Sequence, residues 1–216
     1  DKGQLKKAAL NMKDSYYQDY LMKFIDNQDW SLKLKTYESS LTGVWVIEPT
    51  FIDDSRGYFY ESYNEKDFEI GVGVKPNFVQ DNHSKSSKNV LRGLHYQIYK
   101  PQGKLVRVIQ GEIFDVAVDI RVGSPNFGSW FGIKLSENNR KQLWIPPDFA
   151  HGFLVTSNEA QVIYKTTEFY DPESEKTIIW NDDTINIDWP TNKSDPILSS
   201  KDSAGLSLND VELPKF

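Results

Sequence analysis

The 216-residue sequence predicts an all-β fold, an antiparallel jelly roll with a short helical extension at its N-terminus. From about residue 45 to residue 190, short segments alternate apolar and polar side chains, as strands with one buried face do. Turn-forming stretches such as "GSPNFG", "SENN" and "DPES" separate these segments at the spacing of a sandwich or barrel. No long helical pattern lies between them, which disfavours a parallel sheet built from strand–helix–strand units.

The N-terminal extension has a different pattern. Residues 4–25 show helical spacing, with Tyr17 and Leu21 on one apolar stripe. The polar stretch "DNQDWSLKLKTYESS" that follows indicates a linker or a loose strand. The sequence therefore predicts a helical extension and linker over residues 1–40 and a jelly-roll domain over residues 41–216.

The strand pattern is clearest in "IFDVAVDIRV". Alternation divides this segment into an apolar face and a second face that carries two aspartates. The apolar face is Phe114, Val116, Val118, Ile120 and Val122, and the second is Asp115, Ala117, Asp119 and Arg121. Similar segments continue the domain: "KLVRVIQG", "WFGIKL", "KQLWIP", "GFLVTS" and "QVIYKTTEFY".

Composition and charge exclude several classes of partner. The net charge of −6 and a pI of about 5.2 disfavour nucleic acid, so a phosphate-bearing ligand would need a local basic pocket. No run approaches the ~18 apolar residues of a membrane span. The sequence contains no cysteine, which rules out disulfides and thiolate metal sites and fits a cytoplasmic location.

The segment "VLRGLHYQ" contains one of only three histidines. Strict alternation would place Arg92 and His95 on opposite faces of its strand. Both could serve one site only if the alternation broke between them, and Gly93 is where a strand could bulge. His95 is either a base, since an unperturbed imidazole titrates near pH ~6.5, or a buried hydrogen-bonded structural histidine.

Two further polar residues lie inside apolar strands. Lys104 shares a face with Val106 and Val108, so its ammonium lies at a pocket rim or inside the barrel, or reaches water from a strand end. Tyr164 lies within "QVIYKTTEFY" and is either a functional phenol or a packed core residue.

The histidines do not form a metal-binding pattern. No His-x-His pair is present, His83 falls in a predicted polar turn, and His151 follows a Pro-Pro turn. These positions do not make up a usual zinc or iron ligand set. The sequence predicts no metal and no other cofactor.

Several long segments are informative when taken together: "DSRGYFYESY", "FVQDNHSKSSKNVLRGLHYQ", "GKLVRVIQGEIFDVAVDIRVGSPNFGSW", "QLWIPPDFAHGF" and "WNDDTINIDWP". In this order they resemble the dTDP-4-dehydrorhamnose 3,5-epimerase family of cupin-like jelly-roll enzymes. The resemblance implies cofactor-independent conversion of dTDP-4-keto-6-deoxy-D-glucose to dTDP-4-keto-L-rhamnose in dTDP-L-rhamnose biosynthesis. It also implies a homodimer that exchanges edge strands.

The family's catalytic roles transfer to matching positions. The resemblance implies that His95 is the proton acceptor, oriented by Asp202, and that Tyr164 is the proton donor on the opposite face of the sugar. Lys104 would stabilise the charge forming on the substrate's keto oxygen. Arg92 and His95 would then both face the barrel interior. The implied substrate-binding residues are Arg56, Glu61, Gln80, Asn82, Arg92, His151, Glu175 and Lys201, with Tyr170 stacking on the thymine ring.

The first forty residues resemble a different protein. "QLKKAALNMKDSYYQDYLMKFI" is similar to the helical C-terminal tail of glucose-1-phosphate thymidylyltransferases, which act earlier in the same pathway. The sequence also begins with Asp rather than Met. We therefore expect this chain to be the C-terminal portion of a bifunctional fusion with a nucleotidyltransferase domain upstream.

Other functions remain open from the sequence. A single-centre epimerase or ketoisomerase acting on a related nucleotide-linked keto sugar would share most of these residues. A sugar-binding jelly roll without activity and a metal-dependent dioxygenase are further alternatives. The presence of both His95 and Tyr164 favours epimerisation, because inversion needs a base on one face and an acid on the other.

Overall fold

The computed structural model describes residues 34–191 and 194–214, together with Lys7, Leu10 and Asn11. The chain divides into two compact units, Asp1–Lys33 and Leu34–Phe216. Lys7 and Leu10 are helical and Asn11 is in a turn, and the remaining residues of the predicted helix over residues 4–25 lie outside the described residues.

Within the described ranges, the strands form two large sheets and one small hairpin. The six-stranded sheet has, in spatial order, β1 (Leu34–Glu38), β2 (Trp45–Pro49), β10 (Gln142–Ile145), β7 (Lys104–Gln110), β12 (Glu159–Thr166) and β5 (Gln80–Ser87). The five-stranded sheet has β13 (Glu175–Thr177), β6 (Leu91–Gln97), β11 (Phe149–Val155), β8 (Glu112–Asp119) and β9 (Trp130–Ser136). The hairpin pairs β3 (Ile52–Asp54) with β4 (Gly57–Phe59).

Every pairing between these named strands is antiparallel. Sequence-adjacent strands often lie in opposite sheets: β7 belongs to the six-stranded sheet, whereas β6 and β8 belong to the other. This alternation between sheets is the connectivity of a jelly roll, so the predicted fold class is confirmed.

The main core lies between the two large sheets. Its members come from both: Val106 and Val162 from the six-stranded sheet pack in one cluster with Ala117 and Phe153 from the five-stranded sheet. Inward-facing positions of a sandwich are normally apolar. A polar side chain that faces this interior therefore needs a structural or chemical reason.

The outer face of the five-stranded sheet is also buried. Leu94, Val116 and Val118 pack there against Ile178 and Trp189 of the C-terminal segment. Strand β8 is consequently covered on both faces, and the two faces divide as the sequence alternation predicts. Its apolar side faces the C-terminal segment, while Ala117 belongs to the cluster between the sheets.

A helix covers part of the outer face of the six-stranded sheet. Helix α1 (Glu65–Val72) begins after Asn64, whose side-chain oxygen accepts from the first free backbone N–H groups, as an N-cap residue does. The helix ends at Gly73, which adopts the left-handed conformation common at this position. Its buried Phe68 packs with Leu105 and Trp144 in a third cluster.

The second compact unit begins earlier than the sequence predicted. Strand β1 lies in the stretch assigned to the extension, and it pairs along its full length with β2, from Leu34 opposite Pro49 to Glu38 opposite Trp45. This strand has little alternation to reveal it, because β1 is an edge strand with mostly exposed side chains. Strand β1 lies within "DNQDWSLKLKTYESS", for which the sequence analysis offered a loose strand as one of two interpretations.

A search of the described residues finds no helix long and apolar enough to cross a membrane.

Candidate active site

The alternation of β6 breaks at Gly93. On β11, Phe153 pairs with Arg92 and His151 pairs with His95, so three steps on β6 oppose two steps on β11. This extra residue is a β-bulge. Leu91 and Leu94 pack on the outer side of the sheet, whereas Arg92 contacts Ser86 of the opposite sheet. The bulge therefore places Arg92 and His95 on the same side of their strand.

Gly93 occupies a position that no other residue fits. Its φ is 127°, and a Cβ added there would lie 2.5 Å from Gly152 Cα and 2.7 Å from the carbonyl oxygen of His151. L-residues avoid this φ, and both neighbouring atoms belong to the backbone and have little room to move. The backbone N–H of Gly93 also donates to Asp202 Oδ1 at 3.3 Å.

We expect Gly93→Ala to lower the free energy of unfolding by ~2–4 kcal/mol, from the unfavourable φ together with overpacking against β11. Gly57→Ala is the matched control, because Gly57 has the same φ of 127° with no atom within 4 Å of the added Cβ. Urea unfolding of both variants separates the two effects. Equal losses of stability would show that the close approach to β11 is unimportant.

His95 and Asp202 form a hydrogen-bonded pair. The Nε2 atom of His95 lies 2.5 Å from Asp202 Oδ1. A carboxylate only accepts, so Nε2 carries the hydrogen and Nδ1 of the neutral ring is free to take a proton. The His95 side chain is 23% exposed and that of Asp202 is 4% exposed, so solvent reaches the imidazole but hardly reaches the carboxylate.

Helix α2 (Ser200–Ser203) fixes the carboxylate of Asp202. Ser199 precedes this short helix, accepts from the Asp202 backbone N–H and donates through its hydroxyl to Asp202 Oδ2 at 2.6 Å. Burial would raise the pKa of Asp202, but the hydrogen bonds from His95 and Ser199 outweigh it and lower the pKa to about 2. Asp202 is therefore ionised at neutral pH and places a negative charge beside the imidazole.

Lys104 opens β7 with its side chain directed inward, only 6% exposed. Its Nζ donates to the backbone carbonyl of His95 at 3.3 Å, so the ammonium lies next to the candidate base. Burial lowers the pKa of Lys104 to about 8, against the opposing charges of Glu175 and Asp115. The sequence analysis left open whether Lys104 reaches water; the structure places it inside the barrel.

Glu175 connects the charged groups on this side of the site. Its Oε2 accepts from Lys201 Nζ at 2.7 Å and from the Tyr170 hydroxyl at 2.8 Å. Burial would raise the pKa of Glu175, yet these hydrogen bonds and the proximity of His95 lower it. An ionised Glu175 also acts on Lys104, so these side chains share one electrostatic environment.

Tyr164 approaches the site from the opposite sheet, on β12. It packs against the cluster between the sheets, and burial raises its pKa although the nearby Arg92 opposes the change. The phenol is therefore protonated at neutral pH and can donate a proton. Arg92 is held by its Nε, which donates to Ser86 Oγ at 3.0 Å.

The amide side chains of β5 lie beside Tyr164 and Tyr170. Asn82 is the register partner of Tyr164, and its Oδ1 accepts from Gln80 Nε2 at 2.9 Å. The Oε1 of Gln80 accepts from the backbone N–H of Tyr170 at 3.0 Å. The segment around these residues was interpreted as a polar turn, which is wrong: it is the edge strand β5, whose lack of an apolar face hid the strand pattern.

His151 is paired with a carboxylate that the sequence analysis did not select. Its Nε2 lies 2.7 Å from Oδ1 of Asp115, and Asp115 is fully buried. Burial lowers the pKa of His151; the charge and hydrogen bond of Asp115 oppose this effect, and Lys104 and His95 add to it, so the neutral ring is favoured at physiological pH. The available signal was an aspartate on the inner side of "IFDVAVDIRV", a strand buried on both faces.

Two predicted binding residues lie in a separate segment. Arg56 belongs to the turn of the β3–β4 hairpin, where its Nη2 lies 2.7 Å from Asp54 Oδ2, and Glu61 follows β4. The structure places this segment outside the two sheets that carry His95 and Tyr164. His83, the remaining histidine, is exposed on β5 and hydrogen-bonds Gln161 at 2.8 Å.

The arrangement suits proton transfer at carbon next to a carbonyl. A hydrogen-bonded imidazole with an ionised carboxylate behind it provides a base, and a protonated phenol on the opposite sheet provides an acid. A buried ammonium, held by the backbone carbonyl of His95, can stabilise an oxyanion. Among the described residues, no group of three or more His, Cys, Asp or Glu side chains is arranged to hold a metal ion.

The chain is similar to known proteins over most of its length. The family model described as dTDP-4-dehydrorhamnose 3,5-epimerase matches residues 38–210. The dTDP-4-dehydrorhamnose 3,5-epimerase of Pseudomonas aeruginosa is 51% identical over 179 residues, which is 83% of this chain and 98% of that protein.

Solved structures are similar as well. The epimerase of Legionella pneumophila in complex with dTDP-4-keto-L-rhamnose has a TM-score of 0.82 and 48% identity, covering 85% of this chain and 98% of that one. A 3'-monoepimerase from Streptomyces bikiniensis in complex with dTDP-quinovose has a TM-score of 0.76 and 29% identity, covering 80% and 87%.

Proposed function

The chain belongs to the dTDP-4-dehydrorhamnose 3,5-epimerase family, and from this premise we propose that His95 and Tyr164 invert the sugar through an enolate. The chain is an isomerase that catalyses 3,5-epimerisation in dTDP-rhamnose biosynthesis. The observation that carries the proposed mechanism is the position of three groups: the His95–Asp202 pair on one side, Tyr164 on the facing sheet, and the Lys104 ammonium on the backbone carbonyl of His95.

The reaction begins with removal of a proton next to the ketone. A carbonyl at C4 of the sugar acidifies the hydrogens at C3 and C5, and Nδ1 of His95 takes one of them. Asp202 holds the ring through Nε2 and stabilises the imidazolium that results, because it remains ionised.

The enolate that forms carries its charge on the C4 oxygen. The Lys104 ammonium is fixed by the His95 carbonyl and largely shielded from water, so its charge acts at short range in a medium of low dielectric. Preorganised stabilisation of this kind typically contributes ~10²–10³ in rate.

Inversion requires that the proton returns to the other face. Tyr164 lies on the sheet opposite His95 and is kept protonated by burial, so it donates to the carbon from that side. Repeating the sequence at the second carbon inverts both centres and gives dTDP-4-keto-L-rhamnose from dTDP-4-keto-6-deoxy-D-glucose.

The nucleotide part of the substrate needs cations and a stacking surface. Arg92 and Lys201 supply positive charge near the mouth of the site, in a protein whose net charge is −6. Tyr170 is 51% exposed and is anchored at both its backbone N–H and its hydroxyl, which leaves its ring available for stacking on thymine. The polar contacts proposed for the remainder of the ligand are Gln80, Asn82, His151, Glu175, Arg56 and Glu61.

Tyr164→Phe tests the division of labour between acid and base. We expect this variant to retain deuterium exchange into the substrate in deuterium oxide, because His95 still removes the proton and solvent returns it to the same face. Formation of the inverted product should fall by ~10²–10⁴. Nuclear magnetic resonance of the sugar, with mass spectrometry, measures configuration and exchange separately.

Tyr96→Phe is the control for Tyr164→Phe. The Tyr96 hydroxyl donates to the carbonyl of Glu212 at 2.6 Å in the outer cluster, so its loss should affect stability without affecting inversion. If Tyr164→Phe inverted the sugar at the native rate, Tyr164 would not be the acid.

A single-centre epimerase is the second candidate, favoured by the similarity to the 3'-monoepimerase. Such an enzyme would share the base, the acid and the ammonium, and would differ in which carbon approaches Nδ1 of His95. The number of inverted centres in the product distinguishes the two.

The assembly and context of the chain are further proposals. We propose a homodimer that pairs or exchanges edge strands, since β1 and β5 end the six-stranded sheet and an unpaired edge favours association. Light scattering at several concentrations tests the dimer.

The similarity of the first forty residues to a thymidylyltransferase tail supports a fused upstream domain, and the upstream coding sequence tests this fusion. The absence of cysteine supports a cytoplasmic location.

A further inference from the structure

We propose that Asp115 is a positioning residue of the epimerase site, which fixes the ring of His151 and provides the countercharge that keeps Lys104 protonated. This inference rests on the proposed function of the same site. It concerns a residue that lies behind the side chains assigned to the substrate, and it begins from the unusual condition of the Asp115 carboxylate.

The carboxylate of Asp115 is fully buried but only half paired. Its Oδ1 accepts from Nε2 of His151 at 2.7 Å. Its Oδ2 is buried and has no hydrogen-bond partner in the part of the chain that the structure describes. A buried carboxylate oxygen without a partner is unfavourable, and cores normally avoid it.

A second aspartate on β8 shows how a purely structural carboxylate is accommodated. Asp119 is equally buried, but both its oxygens are paired: Oδ1 accepts from Arg121 Nε at 2.9 Å, and Oδ2 from Arg121 Nη2 at 2.6 Å and from the Ser124 hydroxyl at 2.7 Å. These contacts close the loop after the strand. Asp115 has no comparable set among the described residues, so its burial calls for another explanation.

The explanation is the charge of Lys104. Lys104 is buried between the sheets, where burial lowers its pKa, and the negative charges of Glu175 and Asp115 oppose this effect. Glu175 is already engaged by Lys201 and Tyr170, whereas Oδ2 of Asp115 has no such partner. Asp115 is thus a countercharge for the ammonium that stabilises the enolate.

The charged and titratable groups around Lys104 come from several elements. Asp115 lies on β8, His95 on β6 and His151 on β11. The other charged or titratable side chains of the site are Arg92 on β6, Tyr164 on β12, Glu175 on β13, and Lys201 and Asp202 on α2. His151 is neutral, and Lys201 disfavours the charged form of Lys104. Of the two carboxylates that act on Lys104, Asp115 is the one on the His151 side.

Asp115 also determines which nitrogen of His151 is available. Because the carboxylate accepts from Nε2, the neutral ring carries its hydrogen there and leaves Nδ1 as an acceptor. His151 is the register partner of His95 on the neighbouring strand. The two imidazoles therefore lie side by side, each held at Nε2 by an aspartate, and His151 is suited to accept from a sugar hydroxyl.

The test is a pH titration of Lys104 in three proteins: the native protein, Asp115→Asn and Asp119→Asn. Nuclear magnetic resonance with isotope-labelled lysine monitors the titration. Loss of the Asp115 charge removes an effect that raises the pKa of Lys104, so the lysine should lose its proton at a pH lower by about 1 unit. Asp119→Asn makes the same chemical change on the same strand and should leave the midpoint unchanged. An unchanged midpoint in folded Asp115→Asn would overturn the proposal.

Kinetics provide a second readout. Charged Lys104 is the active form, so kcat/KM should decline as the pH rises through the lysine's midpoint, and the decline in Asp115→Asn should move to lower pH by the same amount. A purely structural role would lower kcat/KM equally at every pH. This uniform loss would contradict the proposal, as would a native pH profile in the variant.

A third measurement needs neither a variant nor the substrate. Nitrogen chemical shifts of His151 in the native protein should show a neutral ring with hydrogen on Nε2 at neutral pH; hydrogen on Nδ1 would contradict the inference even if Asp115→Asn failed to fold. If the native enzyme did not convert the sugar while the lysine and histidine signals behaved as described, the proposed function would fail, whereas the effects of Asp115 on His151 and Lys104 would stand.

Discussion

His95→Asn is expected to abolish inversion at both carbons and exchange with solvent, lowering kcat by about 10³–10⁴-fold. Asparagine is too short to replace Nε2, but Asp202 keeps the hydrogen bonds from the Ser199 hydroxyl and from the Gly93 backbone N–H, so the bulge at Gly93 is preserved. What is lost is the nitrogen that accepts the proton. Mass spectrometry of the recovered sugar in deuterium oxide should show no deuterium, in contrast to Tyr164→Phe.

His83→Asn is the matched control for the change at His95. His83 is exposed on β5 and contacts Gln161, outside the cluster of charged side chains. It should retain native kcat. Deuterium exchange in His95→Asn at a rate near that of the native enzyme would mean that another group removes the proton, and the proposed mechanism would be wrong.

Lys104→Met is expected to lower kcat by about 10²–10³-fold with a smaller effect on KM. Methionine has nearly the volume and flexibility of lysine, so the interior remains filled while the charge disappears. The ammonium acts mainly on the enolate, which exists only in and after the transition state, and its loss should therefore appear in kcat.

Lys134→Met is the control for Lys104→Met. Lys134 is exposed on β9, where its ammonium lies 3.6 Å from Glu112, and its neutralisation should leave both constants unchanged. Steady-state kinetics at neutral pH measure both variants. A rise in KM at unchanged kcat in Lys104→Met would assign Lys104 to ground-state binding instead of stabilisation of the enolate.

Much of the fold could be predicted because its signals are local. Strand β8 has a strict alternation, its two faces pack where the alternation places them, and the turns between strands contain the usual residues. The bulge at Gly93 was also predictable, since Arg92 and His95 could share a site only if the alternation failed at the one glycine between them.

The parts that were missed depend on contacts between distant segments. Strand β5 has no apolar face, and only its pairing with β12 makes it a strand. The alternation of β8 places Asp115 on the inner face but does not indicate which residue contacts it. Its hydrogen-bond partner, His151, is 36 residues away in the sequence. Strand Leu34–Glu38, which the sequence analysis assigned to the extension, is likewise held by its pairing with β2 and not by its own propensity.

Some of the residues that the family resemblance implies lie close together in the structure, and others lie on a separate segment. His95, Asp202, Lys104, Glu175, Lys201 and Tyr164 form one electrostatic cluster in the structure. Arg56 and Glu61 lie on the segment of the β3–β4 hairpin, and their contribution to binding remains a prediction. The difference is physical: the first set is fixed by strand register and by the cap of α2.

The most direct test of the central claim is the number of solvent deuterium atoms that the native enzyme places in dTDP-4-keto-6-deoxy-D-glucose in deuterium oxide. A base on one side and an acid on the other, acting in turn at C3 and C5, should give a product with inverted configuration that contains two deuterium atoms at carbon. One deuterium would mean a single-centre epimerase, and none would contradict proton transfer by His95 and Tyr164 altogether.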